Sequence, residues 1–341
     1  MSARAKFWIS AAVLVAIHAM VLFAGFFAPY DPGTQDRVSP YAPPMRVHLR
    51  DANGQWHARP FVYALQASTT DLNSYSEDTT QIRPIRWFVR GDSYRVAGMI
   101  SSNRHLFGVE GDARVYLLGT DGFGRDQLSR LLYGGRISLA AGLLAAALAL
   151  LIGTGLGVLA GFYGGLLDDT LMRLSELFVA LPWLYLLLAL RAFLPLHIDA
   201  RGAFLLLVAI IGSVGWARPA RLVRGIALSG RERGYVVAAR GFGASNFYLL
   251  RRHVLPQAMG VVLTQAALLI PQYMLAEVTL SFFGLGVGEP VPSWGAMLAN
   301  LQEYHVLVSY WWLWAPALVL VVLFLAFHAM ADALHNRLQF Q

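Results

Sequence analysis

Apolar residues in this chain gather into long blocks separated by polar or basic stretches. A bilayer core of about 30 Å is crossed by roughly 20 helical residues at about 1.5 Å per residue. Six blocks reach or approach that length: Phe7–Ala28, about Ile137–Phe162, about Leu174–Leu194, Ala203–Trp216, about Gln257–Phe282 and about Tyr310–Ala331. The fourth is short unless its flanks join it. The pattern predicts an all-α polytopic membrane protein with six transmembrane helices, one N-terminal and five in a core. Phe7–Ala28 exceeds the ~7–15-residue apolar region of a signal peptide. Its end, Gly25-Phe-Phe-Ala-Pro29, offers no clean small-x-small cleavage site, so it reads as an uncleaved anchor.

Between the first two blocks the pattern changes to short apolar runs and turns. Met45–Arg50, the turn Asp51-Ala-Asn-Gly54 and Trp56–Leu65 predict one hairpin. Ile85–Val89, the turn Arg90-Gly-Asp-Ser93 and Tyr94–Ile100 predict another, and the polar stretch Ser68–Thr80 reads as a loop. A small β-rich insertion is expected from about Pro40 to Val115. The chain then divides into an anchor helix, 1–28, an extracytoplasmic insertion, 29–116, and a core, 117–341, that contains a basic loop, 217–256.

Composition sharpens this picture. The chain is 57% hydrophobic and 14% charged, against about 25% charged in soluble domains. A cytosolic enzyme, a disordered chain and a coiled coil are excluded. There is no cysteine, which excludes a disulfide framework, a zinc–thiolate site and a cysteine nucleophile. The net charge is +7, and 26 of the 27 basic residues are Arg. Residues 217–256 hold eight arginines against Glu232 and carry the same net charge as the whole chain. Positive loops mark the cytoplasmic side, so both termini are expected inside and the insertion outside. The charge reports topology, and no nucleic-acid partner is expected. The two halves of the chain do not repeat each other, which argues against a self-sufficient secondary carrier.

Signatures of chemistry are missing. There is no Gly-x-x-x-x-Gly-Lys-Ser/Thr loop, no His-Glu-x-x-His and no Gly-x-Ser-x-Gly. His18, His253 and His328 are scattered, and Asp332 stands alone at a span end, without the second Asp of a membrane protease. No catalytic residue, metal site or bound cofactor is expected. Gly153, Gly157 and Gly161 form overlapping GxxxG patterns, read as close helix packing or as a small-residue lining of a path. Glu277 lies within the fifth block, where an ionisable group faces the bundle interior or a wet cavity. It either lines a pathway or makes a structural pair. Arg191 and Glu176 read as residues snorkelling from span ends.

The basic loop is the most informative segment. Tyr235–Arg240 predicts a short helix that Gly243 ends in a left-handed cap. Ser245 or Asn246 starts the next helix, and Pro256 stands at the start of a membrane helix. Read from the residues alone, the segment is either an amphipathic strip held by anionic lipid or a short helix that passes force from a partner. Its spacing resembles the "EAA" signature of ATP-binding-cassette importer permeases, with Ala238, Ala239, Gly243, Leu255 and Pro256 in register. The chain is similar to the dipeptide/oligopeptide/nickel permease family in further stretches: Pro29-Tyr-Asp-Pro32, Leu118–Asp126, Ser129–Leu139, Gly157–Gly165, Ala217–Arg224 and Leu280–Gly286 continuing to Pro292-Ser-Trp-Gly295. Val237 stands where the signature has Glu, and His253 where it has Ile.

The resemblance implies a permease subunit in the plasma (inner) membrane of a prokaryote. It implies a second permease, two ATPase subunits that use ATP, and an extracytoplasmic substrate-binding protein delivering peptides, nickel or other small solutes. Tyr235, Ala238, Ala239 and Gly243 would contact an ATPase groove, with Leu255 and Pro256 completing the signature. Arg240 would pair with an ATPase acid, or stay solvated or against lipid. The insertion would contact the binding protein or the second permease, or serve as a passive cap. A membrane scaffold or sensor, or a stand-alone carrier, would account for the spans but not for this spacing.

Overall fold

The computed structural model describes residues 3–67, 74–96, 100–111, 113–193 and 198–339. Helices α1 (Ala3–Leu22) and α2 (Ala24–Phe27) precede strands β1 (His48–Arg50), β2 (Trp56–Ala67), β3 (Tyr75–Pro84), β4 (Arg86–Val96) and β5 (Ile100–Gly108). Next come α3 (Gln127–Tyr163), α4 (Gly165–Ala180), α5 (Trp183–Ala192), α6 (Ala200–Val214) and α7 (Ala217–Arg231). The short helices α8 (Gly234–Gly241) and α9 (Asn246–Leu249) lead through a wide π-type turn, Leu250–Val254, into α10 (Leu255–Phe282). The chain ends with α11 (Trp294–Ala299), α12 (Tyr304–Ser309) and α13 (Ala315–Gln339).

Among the described residues, four helical stretches are long and apolar enough to span a bilayer: Arg4–Leu22, Gln127–Tyr163, Asn246–Phe282 and Trp311–Ala333. The third and fourth predicted blocks are bent pairs. α4 and α5 meet at 89°, and α6 and α7 at 43°. The count is therefore four, or six when each bent pair is one span. The first break follows from Pro182, which drives Leu181 into extended backbone (φ −73°, ψ 138°) and ends α4. At the second, Pro219 has no N–H for the Gly215 carbonyl four residues back. The Tyr273 hydroxyl donates to that carbonyl instead, at 3.1 Å.

The chain forms two compact units. One is built around Ser138–Gly286, the other around Val15–Ile137 and Val287–Leu320. In the second, β1–β2–β3 form an antiparallel sheet and β4–β5 an antiparallel pair. Met45, Val62, Ile85, Phe107, Val115 and Tyr116 make its core. The first predicted hairpin is present, with Arg50 opposite Trp56. The second is corrected: Arg90–Ser93 is not a reversing turn but a bulge inside β4, where pairing steps from Arg90–Arg104 to Tyr94–Ser102. The imidazole of His105 occupies the space beside Gly91, 2.8 Å from where a Cβ would be, and bonds the Asp92 carbonyl at 3.0 Å, so the strand carries on. The expected loop Ser68–Thr80 is corrected as well. Residues 68–73 lie outside the described residues, and Tyr75 onward is strand. Asp78, whose carboxylate accepts from the Thr80 N–H at 3.0 Å, marks a bulge that absorbs the polar residues.

The motif that precedes α3 is also in this unit. Arg125 donates to Asp121 at 2.7 Å and to Glu289 at 2.8 Å, and Arg130 to the other Glu289 oxygen at 2.9 Å. Asp126 is buried and accepts from the Ser129 N–H and hydroxyl at 2.7 and 2.6 Å.

Candidate coupling surface

The glycine pattern of α3 fixes the position of α7. A Cβ at Gly153 would lie 2.7 Å from the Trp216 carbonyl oxygen, and one at Gly161 2.5 Å from that of Arg224. One at Gly157 would fall on the Ala220 carbonyl. The stripe is thus filled by α7 backbone, and close packing, rather than path lining, is its use. Two arginines of α7 complete the joint. Arg224 makes a two-pronged ion pair with Asp168 of α4. Arg231 donates to the carbonyls of Gly161 and Phe162 at 3.1 and 3.3 Å, groups at the end of α3 that no helical N–H reaches.

On this base sits α8. Its Val236 is fully buried in a cluster with Val158, Phe162, Val223, Ala227, Leu249, Val254 and Ala258, and Ala239 and Leu255 pack against the same cluster. The opposite side is open: Tyr235, Val237, Ala238, Arg240 and Gly243 are exposed. The helix ends in a Schellman motif, with Ala244 N–H to Ala239 carbonyl and Gly243 N–H to Arg240 carbonyl, both 3.0 Å. Gly243 takes φ +84°, as the sequence predicts. Ser245 caps α9 by accepting from the Tyr248 N–H, and Pro256 stands in the first turn of α10. The Tyr235 hydroxyl accepts from the Gln257 amide at 2.7 Å.

Charge and aromatic surface are mixed here. Arg233, Arg240, Arg251 and Arg252 are exposed, and among the described residues none has a carboxylate within 4.0 Å. Arg240 lies over the Phe162 ring, 5.5 Å from its centroid. Between them stand Phe242, 93% exposed, and Phe247, 72% exposed, with Tyr248 half-exposed. These three aromatics escaped the sequence reading. Their signal was available, since apolar rings in an arginine-rich loop have no bilayer block to enter.

The predicted residues do not all share this surface. Tyr235, Ala238, Arg240 and Gly243 lie on or at the end of the exposed helix, and Ala239 is half-buried at its base. Leu255 belongs to the supporting core, and Pro256 to the start of α10. Glu277 is far along α10, about 30 Å away by helical rise. It is fully buried and accepts from the Ser281 hydroxyl at 2.6 Å. Arg191 is corrected: it does not snorkel, being 1% exposed with its Nε donating to the Leu285 carbonyl at 2.8 Å.

Bilayer-length helices, with a short helix exposed on one side and packed on their core on the other, describe a membrane-embedded subunit. Residues 153–340, more than half of the chain, match the family model "Binding-protein-dependent transport system inner membrane component". Residues 6–44 match "N-terminal TM domain of oligopeptide transport permease C". The chain is 38% identical over 221 residues to the dipeptide transport system permease protein DppC of Bacillus subtilis (strain 168), covering 64% of this chain and 67% of that one. It is 41% identical over 226 residues to the oligopeptide transport system permease protein OppC of Escherichia coli (strain K12), covering 65% and 72%. It is 35% identical over 229 residues to the glutathione transport system permease protein GsiD of Pectobacterium atrosepticum, covering 67% and 74%. The chain belongs to the binding-protein-dependent transport system inner membrane component family. It is the multi-pass permease subunit of an ATP-driven importer, and ATP hydrolysis belongs to separate subunits.

Proposed function

We propose that this chain forms half of the transmembrane pathway of a peptide importer, with α8 as the helix that an ATPase subunit grips. Each of the two bent pairs counts as one span, which gives six, with both termini cytoplasmic and the β-rich insertion outside. A second permease supplies the other half, two ATPase subunits dock inside, and an external binding protein delivers the peptide. The relatives named for dipeptides, oligopeptides and glutathione support a peptide cargo.

The observation that carries the coupling role is the contrast between the two sides of α8. One is anchored through Val236 to α3, α7 and α10, and the other presents small residues, Ala238 and Gly241, between exposed rings and arginines that have no carboxylate partner among the described residues. Small residues let a helix sit close in a partner groove, and rings and arginines suit an apolar groove with acidic edges. Val237, where the signature has Glu, is half-exposed and adds apolar contact in place of a carboxylate.

The chain has no cysteine, so Ala238→Cys introduces a single thiol. In the assembled importer, a short bis-maleimide should cross-link it to a cysteine in the ATPase groove, with a yield that changes on adding ATP. Arg86→Cys, in β4, should give no such product. An Ala238→Cys thiol that labels freely and never cross-links refutes the coupling role.

A further inference from the structure

Two breaks between helices and one stretch of an unbroken helix border one cavity of about 280 Å³. They are the α4–α5 break at Leu181–Pro182, the α6–α7 break at Gly215, and the stretch of α10 that contains Pro271. Most of the wall is apolar, with Phe178 and Trp183 on one side, and Arg218 and Gln272 supply free polar groups. Arg218 is exposed, and no carboxylate of the described residues lies within 4.0 Å of it. Gln272 makes no side-chain hydrogen bond with a described residue. Tyr273, its neighbour, is committed to the Gly215 carbonyl and holds the break in place.

Depth gives Arg218 its interest. Counted from the sequence it opens a cytoplasmic loop, but α7 begins beside Gly153. Gly153 precedes Phe162, the end of the second apolar block, by nine residues. That is ~14 Å of helix, close to half of a ~30 Å bilayer core. A charge at that depth is costly and is kept where it faces a wet path or a partner charge. The cavity is near the lower end of the ~300–1,000 Å³ range of small-molecule sites. A volume of that size admits the end of a peptide, not the whole of one.

We propose that this cavity is a transit subsite for the carboxylate end of the cargo. The Arg218 guanidinium and the Gln272 amide donate to the carboxylate, and Phe178 and Trp183 flank the adjoining side chain. The inference rests on the peptide-importer reading above and adds to it a residue that distinguishes one end of the cargo.

The test uses the complete importer in proteoliposomes with saturating binding protein, and compares uptake of trialanine with uptake of trialanine amide. Arg218→Gln should slow trialanine about 10-fold, the scale of one lost charge-assisted contact. Amide uptake and binding-protein-stimulated ATPase should stay within about 2-fold, and Arg218→Lys should keep most of the trialanine rate, because the charge is retained. Equal slowing of both peptides overturns the subsite and assigns Arg218 to an acid of the second permease or to a lipid phosphate. Unchanged uptake of both overturns it as well. Where the wild type carries only the free acid, loss of uptake in Arg218→Lys as deep as in Arg218→Gln overturns it. If Arg218→Gln does not assemble, Gln272→Leu decides, by slowing trialanine selectively or not. A wild-type complex that takes up neither peptide refutes the peptide reading itself, and the subsite falls with it.

Discussion

Gly243 allows the coupling surface to be tested through backbone geometry alone. It takes φ +84°, and a Cβ built there meets nothing within 4 Å. A substitution therefore adds no clash, and its whole cost is the left-handed conformation. That cost is about 1–2 kcal/mol for an ordinary L-residue, less for Asn and more for a β-branched side chain. Two residues earlier, Gly241 also has open space around it but lies in helical backbone. Alanine there should gain roughly 0.5–1 kcal/mol through helix propensity. The same chemical change should thus have opposite signs at the two sites. A penalty of 1–2 kcal/mol lowers the ratio of closed to open turn by about 5–30-fold. It loosens α8 from the Schellman bonds of Ala239 and Arg240 without touching the core beneath. In the purified importer, hydrogen exchange of the Gly243 and Ala244 amides should quicken in the order Asn, Ala, Val. Binding-protein-stimulated ATPase should fall in that order, and Gly241→Ala should match or exceed the wild type. Equal exchange and activity for Gly243→Asn, Gly243→Ala and Gly243→Val would show that the left-handed cap does not set the turn.

Two further predictions concern the scaffold. Gly157→Ala puts a methyl on the Ala220 carbonyl, whereas Gly155→Ala meets open space; the first should lower the yield of assembled complex several-fold and the second leave it unchanged, as read by size-exclusion chromatography in detergent. Burial pushes the Asp126 carboxyl up from 3.8 to about 6. The folded chain thus holds that proton more tightly than the unfolded one, so this contribution to stability is complete below about pH 4 and is lost as pH rises through about 6. Asp126→Asn should raise the thermal midpoint at pH 7.5 and flatten its dependence between pH 4 and 7, by no more than about 3 kcal/mol; an unchanged pH profile would place the titrating group elsewhere.

What the sequence made legible was local. α8, its glycine stop, the Ser245 cap and Pro256 each depend on residues within one or two turns, and each is found where the spacing puts it. The spans were legible by apolar length, which hides breaks: the run around Leu174–Leu194 reads as one helix although Pro182 divides it. Pairings between distant residues left no such trace. Nothing near Arg224 names Asp168 as its partner, and nothing near Arg191 points to the Leu285 carbonyl. In β4, Gly91-Asp-Ser93 has turn chemistry, and the chain stays extended there through pairing with the next strand and the His105 ring that strand carries. The placement of Arg218 alongside α3 was hidden for the same reason, since α7 is positioned by three glycines on another helix.

The joint between α3 and α7 also has a mechanical consequence. It is fixed along its length, by backbone contact from Gly153 to Gly161 and by the Arg231 clamp at the end of α3. Sliding or unwinding of one helix along the other is blocked, so the pair has six rigid-body degrees of freedom rather than twelve. In the coupling role proposed above, a push on α8 would enter this single body through Val236, whose cluster also holds Leu249 and Val254, and the borders left to it are the bend near Gly215 and the short link at Glu232–Arg233. Under that proposal the stroke would be set at those two borders, and stiffening either of them should shorten it even with the surface of α8 unaltered.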